Sequence, residues 1–104
     1  MTEQAKSYTS ERGDKTWYLP SKGRGYYYRL DGPAVEDVDG TKEWWVSDKL
    51  HRLDGPAIEH KNGTKKWYVD GKELPTEEVE EWIEENNIDL KTKEGQMAFK
   101  LRWI

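Results

Sequence analysis

No cysteine occurs among the 104 residues. Disulfides, thiol nucleophiles and cysteine-ligated zinc are therefore excluded, and the composition fits a reducing compartment such as a cytoplasm. Histidine is almost as scarce. His51 and His60 are the only two, too few for a histidine metal cage, and no cofactor or metal is expected. No apolar run approaches the ~20 residues of a membrane span, and residues 1–15 hold no apolar signal core. A glycine-rich phosphate loop is missing too. Positive charge is not in excess: the net charge is -4. Residues 1–75 hold 13 Lys and Arg against 13 Asp and Glu, whereas residues 76–104 hold 4 against 8. That balance argues against non-specific nucleic-acid binding, which needs a basic footprint.

Aromatic residues are plentiful: six Trp, six Tyr and one Phe. Disordered chains lack them, so this chain is expected to fold. Its length suits one domain that buries about two-thirds of its unfolded surface.

An internal repeat organises that domain. Arg29-Leu30-Asp31-Gly32-Pro33-Ala34 recurs 23 residues later as Arg52-Leu53-Asp54-Gly55-Pro56-Ala57. Gly40-Thr41-Lys42-Glu43-Trp44 recurs at the same spacing as Gly63-Thr64-Lys65-Lys66-Trp67, and an earlier copy begins at Gly13-Asp14-Lys15-Thr16-Trp17. The first interval is longer, with its extra residues in a loop over Leu19 to Tyr26. Asp39-Gly40, Asn62-Gly63 and Asp70-Gly71 read as two-residue hairpin turns, since Gly, Asn and Asp tolerate positive φ. That register faces Ile58 with Trp67, Ala57 with Tyr68, Val35 with Trp44, and Ala34 with Trp45. It sets Glu59 against Lys66, which helps, and Glu36 against Glu43, which does not. The first hairpin is therefore expected to be looser or slipped.

The predicted fold class is α+β, a meander of antiparallel β-hairpin repeats capped by one or two C-terminal helices. Residues 1–12 read as a flexible lead, 13–74 as the hairpins and 75–104 as the helical cap. Thr76 suits a helix N-cap, and Glu77 and Glu78 suit the positive end of the helix dipole. Val79, Trp82 and Ile83 share one face, and Asn86-Asn87 is a stop. A second helix spans about Lys93 to Trp103, with Met97/Leu101 and Phe99/Trp103 as i,i+4 pairs. The open end of a meander needs a cover, which Trp82, Phe99 and Trp103 are placed to supply.

The segment from Trp44 through Trp67 resembles the MORN repeat, whose period is similar. It is closer to a MORN-like variant with the signature His-Arg-x-Asp-Gly-Pro-Ala followed by Gly-x-x-x-Trp, met mostly in bacteriophages and large DNA viruses. His51-Arg52-Leu53-Asp54-Gly55-Pro56-Ala57 matches in full. Tyr28 stands where the first copy would carry His, Asp48 stands at the turn Gly, and the third copy fades into Gly71-Lys72-Glu73-Leu74-Pro75. Ala98-Phe99-Lys100-Leu101-Arg102-Trp103 also looks like the terminus of small phage proteins. The resemblance implies a hairpin array serving as a binding or assembly surface for proteins or lipids. Related repeats occur in bacterial antitoxin-like proteins. It implies no catalysis.

Candidate sites have a structural and a functional reading each. Arg29/Asp31 and Arg52/Asp54 either brace successive units or line a groove for an anionic ligand, to which Arg donates bidentately. Repetition favours the brace. His51 faces Trp44 if Ser47-Asp48 turns the chain, either as a structural histidine or as a ligand contact; His60 reads as solvated. Tyr26-Tyr27-Tyr28 and Trp44-Trp45 set rings on both faces of their strands, and only one face of a thin ribbon is core. The six acids from Glu77 to Glu85 form a solvated face or meet a basic partner.

The expected function is a non-enzymatic binding protein, phage-encoded if the resemblance holds, that occludes a host component such as a defence enzyme. Tyr27, Trp44, Trp45, Arg52, Glu81 and Glu85 are the expected contacts. The alternative is a sponge for a nucleotide-type signal built on Arg29, His51 and Arg52. A third reading is a structural or assembly module. Self-pairing of an uncovered ribbon edge would give a homo-oligomer.

Overall fold

Apolar-polar alternation punctuated by glycine turns produces short strands, and the glutamate-rich stretch after Leu74 produces a helix. The computed structural model describes residues 5–19 and 26–104. Its strands are β1 (Lys6–Thr9), β2 (Lys15–Leu19), β3 (Tyr26–Tyr27), β4 (Val35–Glu36) and β5 (Lys42–Glu43), then β6 (Trp45–Val46), β7 (Lys49–Leu50), β8 (Ile58–Glu59), β9 (Lys65–Val69) and β10 (Lys72–Leu74). Helices α1 (Thr76–Glu85) and α2 (Lys93–Trp103) follow. The sheet runs β1-β2-β4-β5-β8-β9-β10, with β3 paired to β2 and β6-β7 forming a separate ribbon. Every pairing is antiparallel. The fold is thus α+β, a hairpin meander with two C-terminal helices.

The lead segment differs from expectation. Lys6–Thr9 of the predicted flexible stretch 1–12 pair with β2, Lys6 opposite Tyr18 and Thr9 opposite Lys15. The expected loop over Leu19 to Tyr26 has paired ends, Leu19 facing Tyr26; residues 20–25 lie outside the described residues.

Hairpin register also differs, by one residue. Val35 faces Glu43 and Glu36 faces Lys42, while Ile58 faces Lys66 and Glu59 faces Lys65. The cause is the turn. Gly40 N–H donates to Asp37 O at 2.9 Å and Asp37 N–H donates to Thr41 O at 2.9 Å. That is a three-residue loop with the glycine in the left-handed region as a bulge. His60–Thr64 and Ser10–Asp14 repeat it, and Gly13, Gly40 and Gly63 have φ of 99°, 99° and 92°. Asp39 and Asn62 side chains accept the N–H groups of Thr41 and Thr64. The slip removes the expected clash of Glu36 with Glu43. Two-residue turns with both φ positive occur instead at Ser47-Asp48 and, as expected, at Asp70-Gly71.

Register then sorts side chains into rows. Lys15, Glu36, Lys42, Glu59 and Lys65 alternate in sign across five strands. Each opposite-charge neighbour contributes ~0.2–1 kcal/mol. Two residues along, on the same face, the register sets Trp17, Ala34, Trp44, Ala57 and Trp67 in line; Trp17 and Trp44 donate their backbone N–H to Ala34 O and Ala57 O at 2.7 Å. Both alanines are fully buried. Large and small side chains alternate along that row, so the rings do not crowd one another.

The main core lies at the helical end. Trp67, Val69 and Leu74 from the last hairpin meet Val79, Leu90 and Phe99, with Leu53, Trp82, Ile83, Ile88 and Trp103 packed around them. Phe99 meets Trp67 tilted at 5.7 Å, and Trp82 meets Trp103 edge-on at 6.2 Å. These rings cap the last repeat, as their spacing predicts. Thr76 is not the N-cap: Pro75 holds that position without a side-chain bond, and the Thr76 hydroxyl leans toward Lys65 O at 3.5 Å. Asn86 ends α1, and Asn87 takes φ 51° beyond it. For α2 the cap is Thr92, which accepts Gly95 N–H at 3.0 Å. Met97 and Leu101 do not join the core; both point to solvent.

Candidate functional site

The two Arg-Leu-Asp-Gly-Pro-Ala copies build the same object twice. Arg52 lies with its guanidinium 3.7 Å above the ring of Trp44, and Arg29 sits 3.9 Å above Trp17. Arg52 Nε donates to Asp54 at 2.7 Å, while Nη1 donates to Pro56 O at 3.0 Å and to Glu59 at 2.8 Å. Arg29 makes the matching bonds to Asp31, Pro33 O and Glu36 at 3.0, 3.1 and 3.1 Å. The following glycine completes the stack. A Cβ on Gly55 or Gly32 would stand 2.8 or 2.9 Å from the guanidinium carbon. Each arginine therefore braces its own unit to the tryptophan of the unit before. Sequence reading found the Arg and Asp of this brace and missed Glu36 and Glu59. Their signal was present, since the repeat extends to Arg29+7 and Arg52+7 with glutamate at both.

In the third unit the brace changes hands. Among the described residues no arginine covers Trp67; Phe99 takes the ring face and Glu80 accepts its indole N–H at 3.1 Å. The helices thus stand in for a further repeat.

His51 faces Trp44, as the Ser47-Asp48 turn implies, donating its backbone N–H to Trp44 O at 3.0 Å. Its Nδ1 accepts Asp70 N–H at 3.1 Å, with the Asp70 carboxylate 3.5 Å away. The imidazole secures the neighbouring turn. His60 is half-buried inside the His60–Thr64 turn.

Arg29, His51 and Arg52 share one recess of about 500 Å³ on the inner face, floored by Trp44 and Val46, flanked by Leu30 and Leu53, and walled by Gln96 of α2. Asp31 and Asp54 stand on its rim. Each guanidinium is bonded to two carboxylates, so the cluster is negative overall despite its arginines.

The outer face carries the other aromatic set. Tyr18 opposes Tyr27, Trp45 opposes Leu50 and Tyr68 opposes Glu73, one such pair per unit. Tyr27 and Trp45 rings meet across units at 5.2 Å, and the Trp45 indole donates to Glu43 at 2.8 Å. Both helices pack on the opposite face, against Trp67, Val69 and Leu74. Tyr27 is 40% exposed and Trp45 half-buried. Of the predicted contacts, Tyr27 and Trp45 therefore lie together on the open face, while Trp44 and Arg52 occupy one another on the inner face. Glu81 and Glu85 are exposed on α1.

Turns at the other end of the hairpins gather carboxylates. Partial burial, then the negative charges of Asp14, Asp39 and Glu43, raise the Asp37 carboxyl above its ordinary value, with Arg12 opposing. Asp39 is held low chiefly by the Thr41 N–H that it accepts. Among the described residues, no cluster of His, Asp and Glu has the arrangement of a metal site, and no helix is long and apolar enough to cross a membrane. Comparison with known proteins finds no matching family model, no matching curated sequence and no matching solved structure.

Proposed function

We propose that this chain is a non-enzymatic binding protein whose outer aromatic stripe docks a partner protein. The observation that carries the reading is the Tyr27–Trp45 ring pair, whose centroids meet at 5.2 Å on the sheet face opposite the helices. Trp and Tyr are the usual anchors of protein interfaces. Here they stand on short strands locked by the inner-face braces, so little conformational entropy is lost on docking. Glu81 and Glu85 of the exposed acidic helix add a charged margin that steers a basic partner surface.

The His51–Ala57 resemblance to phage and viral repeats supplies the setting: occlusion of a host component, such as a defence enzyme, in the cytoplasm of an infected bacterium. Sequestering an anionic nucleotide is the weaker reading. Arg29, His51 and Arg52 do share a recess, but the guanidinium charge there is already matched by Asp31, Glu36, Asp54 and Glu59.

Affinity capture from bacterial lysate tests the docking reading. The wild-type chain should retain one stoichiometric protein. Tyr27→Ala with Trp45→Ala should lose it while keeping its far-ultraviolet circular dichroism. Equal capture by both chains, with the fold intact, would reject the aromatic stripe. Calorimetry against a nucleotide panel separates the sponge, which alone predicts a saturating heat.

A further inference from the structure

Helix α2 turns apolar side chains to solvent. Met97, Leu101 and Ile104 follow one another at i, i+4 and i+7 and are 64%, 83% and 65% exposed. They lie opposite the inward face of Gly95, Phe99 and Trp103. Exposed Lys93 and Lys100 stand beside them on the helix surface. The result is an apolar ridge with a basic margin along one side and exposed Glu94 on the other.

The inner recess carries the converse. Leu30, 76% exposed, lies with Val46 and Leu53 along its apolar parts, and the Asp31 and Asp54 carboxylates form an acidic rim. The ridge cannot enter its own recess. Helix α2 is itself a wall of that recess through Gln96, and the ridge points away from the sheet.

We propose that the occupant is a second copy of this chain: the α2 ridge of each protomer seats in the recess of its partner about a twofold axis. Ridge and recess adjoin, because Gln96 of the wall precedes Met97 of the ridge. One axis can then form both contacts at once, as a closed isologous dimer requires. Charge selects this arrangement. Lys93 and Lys100 come against Asp31 and Asp54, whereas two ridges packed on each other would crowd four lysines together.

Sedimentation equilibrium between roughly 1 and 100 µM tests the dimer. The wild-type chain should be dimeric at the upper end. Leu101→Glu and Leu30→Lys each alter an exposed side chain, so the fold should survive, and each variant alone should be monomeric. Their equimolar mixture should dimerise again. It holds one unaltered ridge-and-recess contact, and its altered contact sets opposite charges together. A wild-type chain that stays monomeric at 100 µM overturns the proposal. So does a mixture that remains monomeric, or a dimer that either variant leaves intact; a Leu30→Lys chain that stays dimeric is the result expected of ridge-on-ridge packing.

Discussion

The guanidinium of Arg52 lies 3.7 Å above the Trp44 ring and so close to Gly55 that a Cβ there would stand 2.8 Å from its carbon. Three hydrogen bonds converge on it from Asp54, Pro56 O and Glu59, and the ring is a fourth partner. A planar, forked cation alone meets all of them. Arg52→Lys keeps the charge and loses the fork, leaving Pro56 O and Glu59 sharing one ammonium. The expected loss is about 1.5–3 kcal/mol, the range for hydrogen bonds to charged groups. Urea unfolding measures it. An unchanged midpoint would show that the brace contributes nothing.

Gly55 and Gly63 offer a contrast between two uses of glycine. Gly63 has φ 92° and open space around its Cα. Gly63→Ala should cost about 1 kcal/mol of backbone strain and nothing more. Gly55→Ala would instead push the guanidinium off the Trp44 ring. Its cost should exceed that of Gly63→Ala and reach about 1–3 kcal/mol, typical of overpacking. In the Arg52→Ala background the Gly55→Ala penalty should shrink, because the group it strikes is gone. A double-mutant cycle on thermal midpoints reads the difference.

Asp37 and Asp39 predict opposite pH responses. The folded pKa of Asp37 is raised, so its charge destabilises the fold at neutral pH and the penalty fades as pH falls through the folded value. Asp37→Asn should therefore raise the melting temperature at pH 7, and the gain should vanish below about pH 4. The folded pKa of Asp39 is lowered, so its contribution is present above the unfolded value and lost as pH falls through the folded one. Asp39→Ala should lower the melting temperature at pH 7 and leave it unchanged in strong acid. Parallel melting curves for both variants check the two signs together.

Much of this architecture was legible because the repeat writes each element twice. Arg29 and Arg52, 23 residues apart, announce a shared brace, and the patterns after Thr76 and Lys93 announce helices. Register was less legible. Asp39-Gly40 and Asn62-Gly63 fit a two-residue turn or a three-residue loop ending in a bulge, since both need glycine at positive φ. The three-residue loop decided it in both hairpins, and Glu36 against Glu43 was a clue only in the first. The face of each aromatic was hidden for a related reason: a one-residue slip exchanges inside and outside. Met97 and Leu101 matched a core pair by spacing. Periodicity reports that two side chains share a face and not whether that face has a partner.

Gly95 sets helix propensity against packing, and packing should win. It lies buried in the first turn of α2, where alanine would ordinarily stabilise the helix by about 1 kcal/mol. A Cβ there would run into the carbonyl oxygen of Asp89, a backbone atom that cannot swing aside. That carbonyl is fixed in turn. It accepts the Thr92 hydroxyl at 2.8 Å, and Thr92 caps the helix by accepting Gly95 N–H. Relief of the clash would thus break the cap and shift Phe99, whose ring covers Trp67. Gly95→Ala should therefore destabilise the chain by several kcal/mol, on the order of a lost cap plus a disturbed core side chain. Its tryptophan emission should also move to the red as Trp67 gains water. A variant as stable as the wild type would mean that α2 docks with more freedom than the close approach of Gly95 to Asp89 allows.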